Sequence, residues 1–160
     1  MSRIYRVKKM NRQEAQIYLR WHYPAPYEFY NTPPFYYEAS LAEILANQAG
    51  EQFFAVYVAE EFYGIFSYQL LEDGRMEIGL GIRPEDCGKG QGLEMTQKAI
   101  AFARQHLDFQ GTLCLRVADF NERAIKVYER AGFVKTGEVL ALCFDEVVNF
   151  IQMELVEETR

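Results

Sequence analysis

A glycine-rich turn lies between a short alternating segment and a long amphipathic segment of the chain. Gly88, Gly90 and Gly92 alternate there with Lys89 and Gln91. Glycines at alternate positions let the backbone turn sharply and aim several amide N–H groups at one point. The helix predicted after the turn adds roughly half a positive charge at its start. The turn therefore predicts a site for a phosphate or pyrophosphate, to which Lys89 can add a cation.

Two familiar phosphate-binding motifs fit this turn less well. A P-loop has Ser or Thr after Gly-Lys, whereas Gly90 follows Lys89 here. A dinucleotide fingerprint has the spacing G-x-G-x-x-G within a βαβ unit, and the spacing here is G-x-G-x-G. A nucleotide-binding regulatory domain is therefore disfavoured. A tight connection between a strand and a helix, with no ligand, is the alternative for the turn taken alone.

The strand predicted before the turn has one apolar face and one nearly bare face. Glycines weaken a strand, so two of them on one face indicate that another group approaches this backbone closely. The apolar face carries Met76, Ile78, Leu80 and Ile82, and the bare face carries Glu77, Gly79 and Gly81.

Apolar periodicity along the whole chain predicts a mixed α/β order with a mostly antiparallel sheet and one parallel crossover through the long helix. Asn11 and Ser40 are the expected N-caps of the first two helices, with Glu43 completing a capping box after Ser40. Gly50 and Gly132 are expected where helices end. The predicted strands are 4–8, 52–59, 62–71, 75–82, 112–117, 135–142 and 147–156, and the predicted helices are 12–20, 40–48, 90–108 and 121–131.

Composition bounds the class of protein. A chain of 160 residues with 49% hydrophobic and 25% charged residues is expected to form one domain over 1–160. The net charge of −6 disfavours a sequence-independent nucleic-acid binder, which needs clustered Lys and Arg. Apolar runs near 18 residues and a signal-like start are both missing from the sequence, so we expect a cytoplasmic protein with no membrane partner.

The cysteines and histidines predict neither a disulfide framework nor a metal site. Cys87, Cys114 and Cys143 contain no CxxC pair. His22 and His106 are far apart in the sequence and also form no close pair of metal ligands. We therefore expect reduced thiols and no metal.

A second motif follows the predicted crossover. Asn121 and Tyr128 are seven residues apart, which is two helical turns, so both project from one helix face about 10 Å apart. Small Ala124 lies between them and leaves room for an elongated ligand arm. The alternative is that Asn121 is only an N-cap and Tyr128 only a core aromatic.

Together these segments resemble the GNAT superfamily of N-acetyltransferases, which transfer an acetyl group from acetyl-CoA to an amine. The family's turn motif [RQ]-x-x-G-x-[GA] matches residues 87–92, except that Cys87 replaces Arg or Gln. The resemblance covers almost the whole chain in element order and is least specific before residue 50. The later family signature N-x-x-A-x-x-x-Y-x-x-x-G-F falls on Asn121, Ala124, Tyr128, Gly132 and Phe133.

The resemblance implies an α/β (α+β) fold with a mixed, mostly antiparallel central sheet flanked by helices on both faces. It also implies acetyl-CoA as co-substrate, with the backbone of Leu80 and Ile82 paired to the pantetheine arm and the turn amides on the pyrophosphate. Asn121 would bind the pantetheine. The cofactor-binding residues implied are Leu80, Ile82, Cys87, Gly88, Lys89, Gly90, Gln91, Gly92, Asn121 and Ala124.

Cys87 has two interpretations at the first turn position. A thiol near a helix N-terminus and Lys89 can have a lowered pKa and become reactive. A small residue that simply fills the turn is the favoured interpretation.

The same resemblance implies that the acceptor amine attacks the thioester directly in a ternary complex. Tyr128 would protonate the departing thiolate, because a phenol is largely protonated at neutral pH. Glu77 is the candidate general base that takes a proton from the ammonium acceptor through water. An exposed strand carboxylate with no role is the alternative for Glu77, and a non-catalytic acyl-CoA-binding or sensor module is the alternative for the whole chain.

The acceptor site of this family is built mainly from the first helices and their connection. Here that connection holds nine aromatic side chains within the twenty residues 18–37, stiffened by prolines. Aromatic faces beside a carboxylate suit an ammonium group, and Glu28 or Glu38 can supply the carboxylate. Packing of the rings onto the core is the alternative. The expected acceptor is a small-molecule or peptide amine, and the closing strands of the family often form a homodimer. The pocket candidates are Trp21, Tyr23, Tyr27 and Tyr30.

Overall fold

The computed structural model describes residues 3–46 and 51–157, and within these ranges the chain forms a seven-stranded sheet with helices on both faces. This confirms the expected mixed α/β fold. The strands are β1 (Tyr5–Lys9), β2 (Glu51–Val58), β3 (Glu61–Leu70), β4 (Met76–Ile82), β5 (Leu113–Ala118), β6 (Phe133–Cys143) and β7 (Glu146–Leu155), and the α-helices are α1 (Arg12–Leu19), α2 (Tyr37–Ala46), α3 (Gly92–Gln105) and α4 (Glu122–Ala131).

The strand order in the sheet is β1-β2-β3-β4-β5-β7-β6. Every neighbouring pair is antiparallel except β4 and β5, which are parallel. The connection between β4 and β5 passes through α3, as predicted. A parallel pair needs such a crossover, because the chain must return to the same end of the sheet.

Two hydrophobic cores hold the helices against opposite faces of the sheet. The larger core packs α3 and α4 against one face through Phe66, Met95 and Leu113. The smaller core packs α1 and α2 against the other face through Leu41 and Ile65. The sheet therefore lies between the two helix pairs and contributes side chains to both cores.

Helix α1 begins as predicted. The Asn11 side chain accepts a 2.8 Å hydrogen bond from the amide of Glu14, and the Glu14 carboxylate accepts one from the amide of Asn11. The predicted cap at Ser40 is wrong. A 3₁₀ turn over Pro34–Tyr36 leads directly into α2 at Tyr37, so Ser40 lies within the helix. The predicted end of this helix at Gln48 and Gly50 lies outside the described residues.

Helix α3 begins at Gly92, two residues later than predicted. Gly88 and Gly90 both have φ of +75°, a left-handed conformation that cannot belong to a right-handed helix. Helix α4 begins after Asn121 and ends at Gly132, whose φ is +108°, as the motif predicted.

The β2–β3 hairpin positions carboxylates across the sheet. Its turn is Ala59-Glu60, one residue earlier than predicted, and both residues have positive φ. The resulting register places Glu51 opposite Gln69, and Gln69 lies opposite Glu77 of β4. Residues far apart in sequence therefore share one row across three strands.

None of the helices within residues 3–46 and 51–157 is long and apolar enough to cross a bilayer. Cys87, Cys114 and Cys143 are free thiols.

Candidate active site

Strands β4 and β5 separate soon after they meet. They pair at only two register positions, Met76 with Leu113 and Glu77 with Cys114. Beyond Glu77 an opening bounded by residues 78–82 of β4 and 115–118 of β5 divides the sheet, and we call this opening the fork. The fork lies beside the glycine turn, because β4 runs into that turn.

The backbone edge of β4 faces the fork at alternate residues. The amide of Arg83 donates a 2.8 Å hydrogen bond to the carbonyl of Tyr63 in β3. Backbone groups alternate in direction along a strand, so those of Ile82 and Leu80 point away from β3 and into the fork. The two residues that sequence reasoning selected for their backbone thus present it to the opening.

The glycine turn keeps its backbone exposed to a ligand. The Lys89 ammonium forms an ion pair with Asp86 at 3.3 Å and is exposed. The Gln91 side chain accepts a 2.7 Å hydrogen bond from the Tyr63 hydroxyl, which fixes the last residue before α3. Positive φ at Gly88 and Gly90 sets the direction of the amides between them.

The Cys87 thiol contacts the backbone on the strand side of the turn. It lies 3.3 Å from the carbonyl of Ile82 and 3.5 Å from that of Arg83, as a donor to both. Burial raises the pKa of the Cys87 thiol, an effect larger than the opposing influence of the Arg123 cation. These contacts favour the interpretation of Cys87 as a small, inert residue.

Both polar atoms of the Asn121 side chain have partners. Its Oδ1 accepts from the amide of Ala124 at 3.2 Å, and its Nδ2 donates to the Tyr30 hydroxyl at 2.9 Å. Asn121 therefore caps α4 and also anchors the aromatic connection.

Tyr128 lies partly buried on α4, with its ring 6.1 Å from that of Phe133. Burial raises the pKa of Tyr128, and the nearby Tyr30 phenol adds to the shift. Within residues 3–46 and 51–157 the Tyr128 hydroxyl has no hydrogen-bond partner. The side chain is therefore a neutral phenol at working pH, with a proton that no protein group holds.

The aromatic connection over residues 21–37, which we call the aromatic segment, runs along the border between β4 and α4. The Tyr23 hydroxyl donates to the carbonyl of Ile82 at 2.8 Å, and the Tyr27 ring lies 4.6 Å from the guanidinium carbon of Arg123. With Tyr30 bonded to Asn121, three of the four predicted pocket residues lie at this border.

The fourth predicted residue lies elsewhere. Trp21 packs against Tyr18 and Phe62, at ring distances of 5.4 and 5.1 Å, beside the smaller core. Glu28 and Glu38 are exposed.

An acidic cavity of about 390 Å³ opens where β4 and β5 diverge, on the face that carries α1 and α2. It contains three carboxylates from three different elements, Glu43 of α2, Glu51 of β2 and Glu77 of β4. The aromatic residues predicted for the acceptor do not line it. Its other lining residues are Ser67, Gln69, Ile78, Gly79, Arg116 and Phe150.

One cation and three carboxylates set the electrostatics of this cavity. Arg116 donates to both oxygens of Glu77, at 3.1 and 3.4 Å, and so fixes the orientation of that carboxylate. Burial raises the pKa of Glu51, and the charges of Glu43 and Glu77 raise it further. Three carboxylates against one guanidinium make the cavity attractive to a cation.

The bare face of β4 is covered by its own neighbour in the sheet. A Cβ on Gly79 would collide with the Ser67 hydroxyl, and one on Gly81 would lie 3.1 Å from the Ile65 side chain. The close approach predicted from the two glycines is therefore made by β3 side chains at these positions. Gly79 and Ser67 still line the cavity.

Sequence reasoning did not identify Glu43, Glu51 or Arg116 as site residues. The available signal was the register of the β2–β3 hairpin, which aligns Glu51 with Gln69 and Glu77.

Among the described residues, no group of three or more His, Cys, Asp or Glu side chains suits a metal ion.

The fork and the turn have the features that acetyl-CoA binding requires. The turn offers an exposed backbone with two left-handed glycines, and the fork offers a strand edge at Leu80 and Ile82 that β5 does not pair with. The turn suits the pyrophosphate anion, and the strand edge at the fork suits the extended pantetheine arm with its amide groups.

Comparisons with known proteins agree with this geometry. A sequence profile of the Acetyltransferase (GNAT) domain matches residues 5–134. No curated protein matches the chain in sequence.

Two solved structures show the likeness of fold. A spermidine N-acetyltransferase SpeG chimera from Vibrio cholerae and hSSAT superposes with a TM-score of 0.77 at 20% identity, covering 95% of each chain. The spermidine N-acetyltransferase from Vibrio cholerae in complex with CoA and spermine gives 0.75 at 20% identity, covering 94% of each chain.

The profile match extends from the first strand through both motifs, and the fold agrees with it over nearly the whole chain. This chain therefore belongs to the GNAT family of acetyl-CoA-dependent N-acetyltransferases.

Proposed function

We propose that this protein acetylates a primary amine of a small, multiply charged cationic acceptor. The observation that carries the proposal is the position of the acidic cavity, which meets the fork at Glu77, where β4 and β5 part. Donor and acceptor sites would then share one strand. An amine held in the cavity would approach the fork from the α1–α2 face.

Acetyl-CoA supplies a thioester-activated acetyl group. The amides of residues 88–92 would hold its pyrophosphate, and the fork edge at Leu80 and Ile82 would hold its pantetheine arm. Tyr23 and Cys87 already donate to the Ile82 carbonyl, so at that residue the amide is the group left for the arm. Asn121, with both polar atoms engaged, would act mainly by anchoring Tyr30.

The charge of the cavity supports a cationic acceptor. Glu77 is paired with Arg116, whereas Glu43 and Glu51 have no ion-pair partner within the described part of the chain. A second ammonium of the acceptor would offset one of these two negative charges and so reduce the repulsion between the carboxylates. The two structures that superpose above are named for spermidine, and one holds spermine, so polyamines are the first acceptors to test.

Two side chains would move protons. The Glu77 carboxylate, oriented by Arg116, would take a proton from the acceptor ammonium through water. Tyr128 would give its proton to the departing thiolate, since its raised pKa keeps the phenol protonated. Glu77 belongs to β4 and Tyr128 to α4.

The test is release of free CoA thiol from acetyl-CoA with a matched set of amines. Spermidine and a diamine of similar length are expected to give a higher kcat/KM than a monoamine of that length, because only they can engage Glu43 and Glu51. Glu43→Gln with Glu51→Gln is expected to remove this preference and to leave CoA affinity unchanged. Equal values for diamines and monoamines would contradict the cationic acceptor. Tight CoA binding with no thiol release for any amine would instead indicate a non-catalytic acyl-CoA-binding module.

A further inference from the structure

Arg123 reaches from the first turn of α4 to the glycine turn. A Cβ built on Gly88 would lie 2.9 Å from Nη1 of Arg123, so the guanidinium rests directly against this glycine. Helix α4 thus places a cation beside the amides of the turn, although Arg123 is 35 positions further along the chain.

Within residues 3–46 and 51–157, Arg123 forms no ion pair, whereas Lys89 and Arg83 of the same region both pair with Asp86. A cation without an ion-pair partner, beside an exposed turn with two left-handed glycines, favours an anionic ligand.

Tyr27 fixes the orientation of this cation. The guanidinium carbon lies 4.6 Å from the centre of the Tyr27 ring. A guanidinium that lies over an aromatic face keeps its N–H edge free for a planar or tetrahedral anion.

The position where the family motif has Arg or Gln is occupied by Cys87, whose thiol is engaged with backbone carbonyls. We propose that Arg123 binds the pyrophosphate of acetyl-CoA and supplies, from α4, the side-chain contact that Cys87 does not make. Tyr27 is the positioning residue that holds the guanidinium in place. This inference rests on the donor-binding part of the proposed function.

Calorimetric titration of CoA into the purified protein tests the assignment. Arg123→Gln is expected to weaken CoA binding about 10-fold to 100-fold, the usual effect of losing a hydrogen bond to a charged group. Arg130→Gln is the matched control, because it removes the same charge from an exposed position two turns along the same helix. It is expected to bind CoA like the wild type.

Two analogues locate the contact. With 3′-dephospho-CoA the Arg123→Gln loss is expected to persist, and with S-acetylpantetheine, which has no phosphate, kcat/KM is expected to be the same for the variant and the wild type. A loss that disappears with 3′-dephospho-CoA would overturn the assignment to the pyrophosphate. Equal CoA dissociation constants for Arg123→Gln and Arg130→Gln would overturn the role of Arg123 altogether.

Variants of Tyr27 separate positioning from general stability. Tyr27→Leu is expected to weaken CoA binding severalfold, and Tyr27→Phe, which keeps the ring, is expected to restore it. Similar losses in both variants would overturn the positioning role. If the wild type itself binds no CoA, the proposed function fails, and this inference fails with it. If the wild type binds CoA and Arg123→Gln binds it equally well, only this inference fails.

Discussion

The Tyr23 hydroxyl donates a 2.8 Å hydrogen bond to the carbonyl of Ile82, which ties the aromatic segment to the strand that borders the fork. This bond joins residues 59 positions apart. Tyr23 is partly buried, and burial raises the pKa of its phenol, so the donor proton stays in place. The connection between α1 and α2 is therefore held at the edge of the fork.

Tyr23→Phe is expected to lower the free energy of unfolding by about 1 kcal/mol, the usual net value of such a hydrogen bond. Urea denaturation followed by tryptophan fluorescence measures it well, because the single tryptophan, Trp21, begins the aromatic segment. Tyr36→Phe is the control, since it removes a hydroxyl bonded to Asp145 at an exposed hairpin. It is expected to cost less than about 0.5 kcal/mol. Equal losses of unfolding free energy in the two variants would contradict a specific stabilising role for the Tyr23–Ile82 hydrogen bond.

Tyr128→Phe is expected to lower kcat by about 100-fold to 10,000-fold, the range for losing a positioned general acid. The CoA dissociation constant is expected to stay within about twofold of the wild type, because the ring and its packing against Phe133 remain. Thiol release and calorimetry measure the two quantities. An unchanged kcat would remove Tyr128 from the mechanism.

Glu77→Gln is expected to lower kcat and to flatten the alkaline rise of the pH–rate profile, because the oriented base is lost. Glu51→Gln, in the same cavity, is expected to raise the acceptor KM with little change in kcat. Initial rates over a series of pH values and acceptor concentrations separate the two effects. A profile for Glu77→Gln that coincides with the wild type would exclude Glu77 as the base.

Glu51 also makes the stability depend on pH. Its pKa is raised in the folded protein above the ordinary value of 4.5, so the folded state binds more protons than the unfolded state between these two pKa values. Stability therefore falls as pH rises through this interval, and the loss is complete above it. Glu51→Gln is expected to raise Tm at neutral pH, with a gain that shrinks as pH falls through the raised pKa and is nearly absent below 4.5. A gain of constant size at all pH values would contradict the titration of Glu51.

Gly88→Ala and Gly90→Ala form a matched pair. Both positions have φ of +75°, so both substitutions introduce the same left-handed strain and are expected to lose about 1–2 kcal/mol of stability. Only the new methyl at position 88 meets Arg123, because nothing lies within 4 Å of the methyl at position 90. CoA affinity is therefore expected to fall further in Gly88→Ala. Equal affinities would show that the place of Arg123 at the turn is unimportant.

Local signals in the sequence predicted most of the fold. Asn11, Asn121 and Gly132 begin and end helices through contacts within a few residues, so their roles were readable from spacing. The prediction failed at Ser40, because the preceding turn over Pro34–Tyr36 already has a helical direction and continues into α2. Adjacent structure there overrides a favourable capping sequence.

The acidic cavity was not predictable in the same way. Glu51 and Glu77 belong to different strands and come together through two successive registers. The sequence indicated the hairpin but placed its turn one residue late, and a bulge between Val56 and Tyr57 shifts the register again. A shift of one residue moves a side chain to the other face of a sheet. The contact between Arg123 and Gly88 was not predictable for a similar reason, since only the packing of α4 beside the turn brings the two residues together.

Two of the three carboxylates of the acidic cavity come from the N-terminal half of the chain, whereas the glycine turn and the helix that carries Tyr128 come later. Glu43 and Glu51 belong to α2 and β2, whereas the turn, Arg123 and Tyr128 belong to segments after residue 82. Under the proposed function, substitutions of Glu43 and Glu51 would alter which amine is accepted and leave the thioester chemistry intact. Acceptor preference would then be open to evolution, or to directed mutagenesis, at these two positions separately from acetyl-CoA binding.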